Sequence, residues 1–290
     1  MKISEIFKKE KHTFSFEFFP PKDEISAVDF GINVGQLIKL SPSFITVTYG
    51  AGGSTRERTF ALVDYLQNRT GLVTMAHYTC VNAPVAKIDE DISHLRDLGI
   101  ENLMLLRGDP PKGTGIFRAH PEGFSYSNEL ISHVKHLGDF CVGGAAYPEM
   151  HPESENMESE IFNLKKKIEA GAEFLVTQMF FDNQAYFNFV EKARQQGISC
   201  RIIPGIIPIT NYRQINKFLS LSNAKIPEDL KEELERIKND PEKVYQTGVD
   251  FAIRQCHELL QNGAPGIHFY TLNKSKAAVD IFETLKGDFR

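Results

Sequence analysis

The chain of 290 residues contains no tryptophan and only four cysteines, Cys80, Cys141, Cys200 and Cys256. These cysteines lie far apart and form no CxxC or Cys/His spacing, so we expect reduced packing residues and no metal site. No segment has the roughly 18 uninterrupted apolar residues of a membrane span, and the polar start MKISEIFKKEKH lacks a signal-sequence core. We therefore expect a cytoplasmic protein without a membrane partner.

Basic charge is also scarce. The 33 Lys and Arg residues are outnumbered by 38 Asp and Glu residues, which gives a formal net charge of -5. A protein without a basic excess is poorly suited to neutralising phosphates, so we expect no nucleic-acid partner. The hydrophobic content of 41% is enough for a substantial core, and the composition is typical of a globular enzyme.

Short apolar runs alternate with stretches of helical periodicity along the whole chain. The runs predict eight strands, each buried on both faces: Phe14–Phe19, Phe44–Tyr49, Val73–Thr79, Leu103–Leu106, Phe140–Tyr147, Phe174–Phe181, Arg201–Ile207 and Gly266–Leu272. The stretches between them predict helices at Ile25–Leu40, Ser54–Gln67, Ile88–Leu98, Ser127–His136, Glu158–Ala170, Ala185–Gln196, Tyr212–Leu219 and Val244–Gln261. An extra helix is predicted from Ile226, and a closing helix from about Ser275 to Leu285.

Glycine marks the ends of several predicted helices. Gly71, Gly99, Gly171 and Gly197 follow the last periodic residue, where a left-handed cap needs glycine. No linker divides the eight strand–helix units, which fit an α/β fold, a single (β/α)8 TIM barrel with extra helices over residues 1–290, better than an open sheet. In that barrel, the site lies at the carboxyl ends of the strands.

Two charged residues follow the fourth predicted strand. In Asn102–Gly115, NLMLLRGDPPKGTG, the apolar run stops at Arg107 and Asp109, and two prolines prevent its continuation. Such a loop can hold charged groups at a barrel rim. An ordinary strand exit with a surface ion pair explains the pattern as well.

The first predicted strand, FSFEFFPPK, places Glu17 among phenylalanines. A carboxyl in apolar surroundings loses hydration, which disfavours its charged form and suits a general acid. The alternative is an inward-facing Glu paired with an Arg or Lys of the barrel.

Other strand ends carry polar groups. The turn Thr48–Ser54, TYGAGGS, could present N–H groups to an anion or a flat ring, or could simply be a tight turn capped by Ser54. Gln178 lies in an apolar run, so its amide needs a partner from a substrate or from neighbouring backbone. His77 alone is more typical of a structural residue than of a metal ligand. With no nucleophile elbow, P-loop or metal cluster, the set suits redox chemistry on a bound ring system.

Seven motifs, in this order, resemble the methylenetetrahydrofolate reductase family: FSFEFFPPK, TYGAGGSTRERT, LMLLRGDPP, AAYPEMHPE, TQMFFDN, IIPGIIPIT and HFYTLNKS. The resemblance covers essentially the whole chain and is to the short bacterial type, which has no regulatory domain. It implies an FAD-dependent barrel that reduces 5,10-methylenetetrahydrofolate to 5-methyltetrahydrofolate with NADH or NADPH. It further implies ping-pong kinetics at one site, a place in methionine synthesis and a homo-oligomer.

The resemblance also implies a role for each matched residue. Glu17 corresponds to the acid that protonates folate N10, so that the five-membered ring opens before reduced flavin N5 delivers hydride to the methylene carbon. Asp109 corresponds to the Asp placed near flavin and pterin, and Thr48 is implied at the nicotinamide side. The implied cofactor-binding residues are Thr48, Tyr49, Ala51, His77, Arg107, Gly108, Asp109, Tyr147, His151, Asn163, Lys166 and Lys167. The implied substrate-binding residues are Asp109, Gln178, Gln214, Phe218 and Lys274.

Two other functions stay open at this point. A non-catalytic barrel, kept as a folate-binding or complex-forming subunit, would have no need for a buried acid at Glu17, and it would purify without yellow colour. Another flavin barrel, such as a proline dehydrogenase, would leave Glu17 and Gln178 without their rationale. The segment Lys112–Tyr126 is longer than in many family members, and the run Lys165–Lys167 is by default a solvated helix face.

Overall fold

The computed structural model describes residues 1–49, 56–109, 117–219 and 223–289, apart from the side chains of residues 216–218. Its strands are β1 (Thr13–Phe18), β2 (Phe44–Val47), β3 (Thr74–Thr79), β4 (Asn102–Leu106), β5 (Cys141–Ala146), β6 (Phe174–Thr177), β7 (Arg201–Ile203), β8 (Gly205–Ile206) and β9 (Gly266–Tyr270). Its helices are α1 (Ile3–Lys9), α2 (Glu24–Ile38), α3 (Arg56–Thr70), α4 (Val85–Asp97), α5 (Ser127–Leu137), α6 (Met157–Glu169), α7 (Asn183–Gln195), α8 (Tyr212–Leu219), α9 (Glu228–Ile237), α10 (Pro241–Gln261) and α11 (Lys276–Phe289).

The strands form one parallel sheet in the order β7-β6-β5-β4-β3-β2-β1-β9-β8. The strand predicted at Arg201–Ile207 is divided at Pro204, which has no N–H to donate to the sheet. Its first half pairs with β6 and its second half with β9, so the two ends of the sheet meet in one segment. The predicted (β/α)8 TIM barrel with extra helices is confirmed.

The main apolar core lies between the sheet and the helices. Phe14 packs edge-on against Phe282 of α11, and Phe18 packs edge-on against Phe30 of α2. Because side chains alternate along a strand, Phe14 and Phe18 face these helices while Glu17 faces the barrel interior.

A second apolar cluster fills the amino-terminal end of the barrel. It includes Phe44 and Phe174 from the strands together with Ile3 and Ile6 from α1. The Asn102 side chain accepts the backbone N–H of Ile3 at 2.7 Å, which fixes the start of this helix. Helix α1 was not predicted, since three apolar residues within a seven-residue segment give too little periodicity.

The glycine caps predicted at the ends of four helices are confirmed. Gly71, Gly99, Gly171 and Gly197 have φ angles of 73°, 76°, 115° and 81°, which is the left-handed region that favours glycine. The extra helix predicted from Ile226 is α9, and the closing helix is α11. All four cysteines are free, as predicted. None of the described helices is both long and apolar enough to cross a membrane.

Candidate active site

Glu17, the next-to-last residue of β1, lies on the inner side of the barrel and is 7% exposed. Its Oε2 atom lies 3.7 Å from Nε2 of His77 on β3 and 3.7 Å from Nε2 of His268 on β9. The burial expected for this carboxyl is confirmed, but its cause differs from the prediction, since the neighbouring phenylalanines face the helices. Among the described residues, the groups nearest to this carboxylate are the imidazoles of His77 and His268, and no Arg or Lys is paired with it.

His268 and Ser15 were not singled out from the sequence. His268 is 1% exposed, and its Nδ1 atom lies 2.8 Å from the Ser15 hydroxyl. The chain of contacts Ser15–His268–Glu17 therefore fixes the imidazole that faces the carboxyl. A signal was present, because Ser15 and Glu17 are two residues apart and so share one face of a strand. This spacing indicates a contact with His268 only once the pairing of β1 with β9 is known.

His77 is buried, and its Nε2 atom has no hydrogen-bond partner among the described residues. Burial lowers the pKa of His77 to about 4, and repulsion from His268 acts in the same direction against the attraction of Glu17. The imidazole is therefore neutral at pH 7. In the part of the chain that the structure describes, the buried hydroxyls of Thr46 and Thr79 have no hydrogen-bond partner either. Buried polar atoms in proteins normally have a hydrogen-bond partner, so polar atoms of a bound ring system would fit beside these three side chains.

The low pKa of His77 predicts a pH dependence of folding stability. The ordinary pKa is 6.5 and the folded value is about 4, so between these pH values the unfolded chain binds more protons. Stability should therefore fall by about 3 kcal/mol as the pH drops from about 6.5 to about 4. Urea unfolding across this range should show a shallower loss for His77→Asn than for the native chain. His136→Asn is the control for losing an exposed imidazole, and equal slopes in all three proteins would contradict the prediction.

The loop after β4 is held by a glycine that has no room for a side chain. Gly108 has a φ angle of 88°, and an added Cβ would lie 2.9 Å from both Thr79 Cβ and Val81 Cγ1. Arg107 donates two hydrogen bonds, of 2.6 Å and 2.7 Å, to the Glu153 carboxylate. The Arg107 ion pair therefore reaches the loop after β5, while Asp109 is exposed. The two prolines that follow lie outside the described residues.

A basic group turns inward next to this loop. Lys167 of α6 donates a 2.8 Å hydrogen bond to the Ala145 carbonyl, and its Nζ atom lies 5.6 Å from the centre of the Tyr147 ring. Burial lowers the pKa of Lys167. The rings of Tyr147 and His151 meet edge to face at 4.9 Å. Asn163 and Lys166, on the same helix, are exposed. The default expectation of a solvated lysine run is thus wrong for Lys167.

The other predicted site residues lie at the carboxyl ends of the strands or in the segments that follow the strands. Thr48 is buried and donates its backbone N–H to Phe18, and Tyr49 packs against Tyr78 with ring centres 5.1 Å apart. Gln178 is half-buried, and its Oε1 atom accepts the N–H of Met179 at 3.0 Å, so backbone satisfies part of its amide. Gln214 is half-buried on α8 and Lys274 is exposed beyond β9. Ala51 and the Phe218 side chain lie outside the described residues.

These positions form two neighbouring groups at the carboxyl ends of the strands. Glu17, His77 and His268 supply a buried carboxyl and imidazoles, which suit proton handling. Arg107, Lys167 and His151 supply cationic or donor groups, the type of group that proteins use to bind phosphates. Among the described residues, no group of three or more His, Cys, Asp or Glu could hold a metal ion. The donor set fits a flat ring compound with an anionic tail.

Comparison with known families gives a match over nearly the whole chain. The family model described as methylenetetrahydrofolate reductase matches residues 2–286. The 5,10-methylenetetrahydrofolate reductase of Escherichia coli (strain K12) is 35% identical over 271 residues, which are 93% of this chain and 90% of that protein. Methylenetetrahydrofolate reductase (NADH) 1 of Arabidopsis thaliana is 39% identical over 295 residues, or 98% of this chain. The chain spans about half the length of this plant relative, as 50% of it is covered.

Solved structures share the fold at low sequence identity. An uncharacterized protein from Clostridium thermocellum, which binds two copies of 5-methyl-5,6,7,8-tetrahydrofolic acid, superposes with a TM-score of 0.66 at 14% identity, over 98% of each chain. Phosphoenolpyruvate phosphomutase from Streptomyces platensis subsp. rosaceus gives a TM-score of 0.51 at 12% identity, over 99% of this chain and 96% of that one. At this level of identity, the likeness concerns the barrel fold alone.

Proposed function

The chain belongs to the methylenetetrahydrofolate reductase family, and we propose that it reduces 5,10-methylenetetrahydrofolate to 5-methyltetrahydrofolate with NADH or NADPH through bound FAD. The observation that carries this proposal is the buried Glu17 carboxyl between His77 and His268 at the carboxyl ends of the strands. The product would supply a methyl group for methionine synthesis.

The second group of site residues would hold FAD, which supplies hydride transfer between the two substrates when bound. Arg107 and Lys167 would offset the diphosphate charge, and Gly108 would keep the loop that carries Arg107 in place. The remaining residues proposed for this cofactor are Thr48, Tyr49, Ala51, His77, Asp109, Tyr147, His151, Asn163 and Lys166. Among them, Asn163 and Lys166 are exposed on α6, as the outer end of a binding site requires.

Glu17 is the proposed proton donor to N10 of the folate. The neighbouring His77 has a pKa of about 4, so its imidazole is neutral at pH 7 and is not the proposed donor. Ser15 holds His268 through its Nδ1 atom, so that the other ring nitrogen faces Glu17. Ser15 and His268 are therefore positioning residues, which keep the carboxyl at one place in the barrel.

The substrate side of the site is proposed from the remaining residues. Asp109 is exposed on the β4 loop, where its negative charge would stabilise positive charge that develops on the folate. The Oε1 atom of Gln178 is engaged by backbone, so its amide nitrogen is the group that would contact folate or nicotinamide. Gln214, Phe218 and Lys274 would lie toward the folate or its glutamate tail.

The proposed use of one site by both substrates predicts ping-pong kinetics, because no GxGxxG motif follows any strand to provide a separate dinucleotide site. The purified protein should be yellow, and anaerobic NADH or NADPH should bleach the flavin. Methylenetetrahydrofolate should then restore the colour. Initial-rate plots at several concentrations of the second substrate should give parallel lines.

The outcomes of this experiment separate the competing functions. A colourless protein that binds folate would support the non-catalytic barrel. A flavin that bleaches but is not reoxidised by methylenetetrahydrofolate would support another flavin barrel. Intersecting lines would mean that both substrates bind together, which would contradict a shared site.

A further inference from the structure

Glu153 joins two loops of the candidate cofactor site, although it is not among the residues proposed for the cofactor. Its carboxylate accepts hydrogen bonds of 2.6 Å and 2.7 Å from the two terminal nitrogens of Arg107, 46 residues earlier in the chain. A pair with two parallel hydrogen bonds fixes the direction of the guanidinium as well as its distance. Exposed ion pairs add little to stability, so this geometry points to a role at the site.

The pair holds the Arg107 side chain between two groups. The Phe117 ring lies on one side, with its centre 4.5 Å from the guanidinium carbon. The Arg107 side chain is 19% exposed, whereas that of Glu153 is 58% exposed. Of the five N–H donors of a guanidinium, the pair with Glu153 uses two. The remaining donors can bind a second anion, so Arg107 can contact Glu153 and a phosphate together.

The turn that carries Glu153 is itself fixed to the barrel. The buried Glu160 carboxylate of α6 accepts the His151 backbone N–H at 3.1 Å and the Ser154 hydroxyl at 2.6 Å, which anchors both ends of the turn. The Ser154 N–H donates to the His151 carbonyl at 2.8 Å and closes the turn. The Glu153 carboxylate therefore extends from a backbone that α6 holds in place.

The same turn fixes the imidazole of His151. Its Nδ1 atom accepts the backbone N–H of Glu153 at 3.1 Å. Burial lowers the pKa of His151, and the Arg107 charge acts in the same direction, so the ring is neutral at pH 7 with its proton on Nε2. Glu153 therefore orients a cation through its side chain and a neutral hydrogen-bond donor through its backbone.

We propose that Glu153 is a positioning residue of the cofactor site, which holds the Arg107 guanidinium in place for the diphosphate of FAD. The inference rests on the proposed function. The negative charge of Glu153 also repels a diphosphate, but water screens a side chain that is 58% exposed. Without the pair, the long Arg107 side chain would regain its rotamer freedom, and cofactor binding would have to order it. The second effect is the larger, so Glu153 strengthens FAD binding.

The first test is the dissociation of FAD from the purified full chain, measured on serial dilution by the fluorescence of released flavin. Glu153→Gln keeps the shape of the side chain but cannot accept both hydrogen bonds, because its amide nitrogen is a donor. The Kd for FAD should rise about 5- to 20-fold. Glu155→Gln is the matched control, since it removes the same charge at an exposed position of the same loop and should change the Kd less than about 2-fold.

The direction of the change decides between two roles of the carboxylate. Tighter FAD binding by Glu153→Gln would mean that Glu153 competes with the cofactor for Arg107, which would overturn the proposal. An unchanged Kd would overturn it as well, while leaving the proposed function intact. A native chain that binds no FAD would contradict the proposed function and this inference with it.

A double-mutant cycle separates the positioning of Arg107 from support of the loop. Arg107→Met removes the guanidinium and should itself weaken FAD binding. In that background, Glu153→Gln should change the Kd less than about 2-fold, because no guanidinium is left to hold. Circular dichroism and the Tm show that each variant is folded. An equal loss of affinity in both backgrounds would show that Glu153 acts through its turn and not through Arg107, and the proposal would be wrong.

Discussion

Glu17→Gln should slow the oxidation of reduced flavin by methylenetetrahydrofolate about 10²–10⁴-fold, while flavin reduction by NADH or NADPH stays nearly unchanged. Opening the folate ring needs a proton on N10, whereas hydride transfer from nicotinamide does not. Glutamine keeps the shape of the side chain and can still hydrogen-bond beside His77 and His268, but it cannot supply the proton. Stopped-flow absorbance at the flavin band measures the two half-reactions separately.

A second buried carboxyl serves as the control. Asp91 is 3% exposed and accepts the Tyr78 hydroxyl at 3.0 Å, on the side of β3 that faces the helices. Asp91→Asn should lower stability but leave the ratio of the two half-reaction rates unchanged. If Glu17→Gln slows both half-reactions equally, Glu17 acts by holding the barrel together and the proposed role of an acid is wrong.

The predictions from sequence succeeded where local chemistry decides the structure. Buried parallel strands need continuous apolar residues, so all eight strand segments could be located. Glycine just beyond a helix has one physical consequence, a left-handed cap, as at Gly171. Helix α1 could not be predicted in this way. It is stabilised by packing against the amino-terminal end of the barrel and not by an apolar periodicity of its own.

The site was predicted less completely, because its contacts join residues far apart in the chain. Arg107 pairs with Glu153, 46 residues away, and His268 meets Ser15, 253 residues away. No spacing along the sequence indicates such pairs before the strand register is known. Glu17 was found through its apolar neighbours, although these neighbours face the helices and not the carboxyl. The polar surroundings that matter come from β3 and β9.

The two residues on either side of Gly108 have different proposed roles, since Arg107 would bind the cofactor and Asp109 would face both the cofactor and the substrate. The directions of the Arg107 and Asp109 side chains depend on Gly108, which has a φ angle of 88° and packs against β3. The glycine therefore couples the two groups of the site, since a shift of the loop would move both charges together. This coupling can be measured, because the chain offers a glycine of similar conformation without the crowding.

Gly108→Ala should lower the free energy of unfolding by about 2–4 kcal/mol and weaken FAD binding at least about 10-fold. The left-handed backbone accounts for about 1–2 kcal/mol, and the 2.9 Å approach to Thr79 and Val81 accounts for the rest. Gly197→Ala is the matched control, because its φ angle is 81° and an added Cβ would meet nothing within 4 Å. It should show only the backbone effect and bind FAD normally. Urea unfolding and flavin fluorescence measure both quantities, and equal losses in the two variants would mean that crowding at Gly108 does not position the loop.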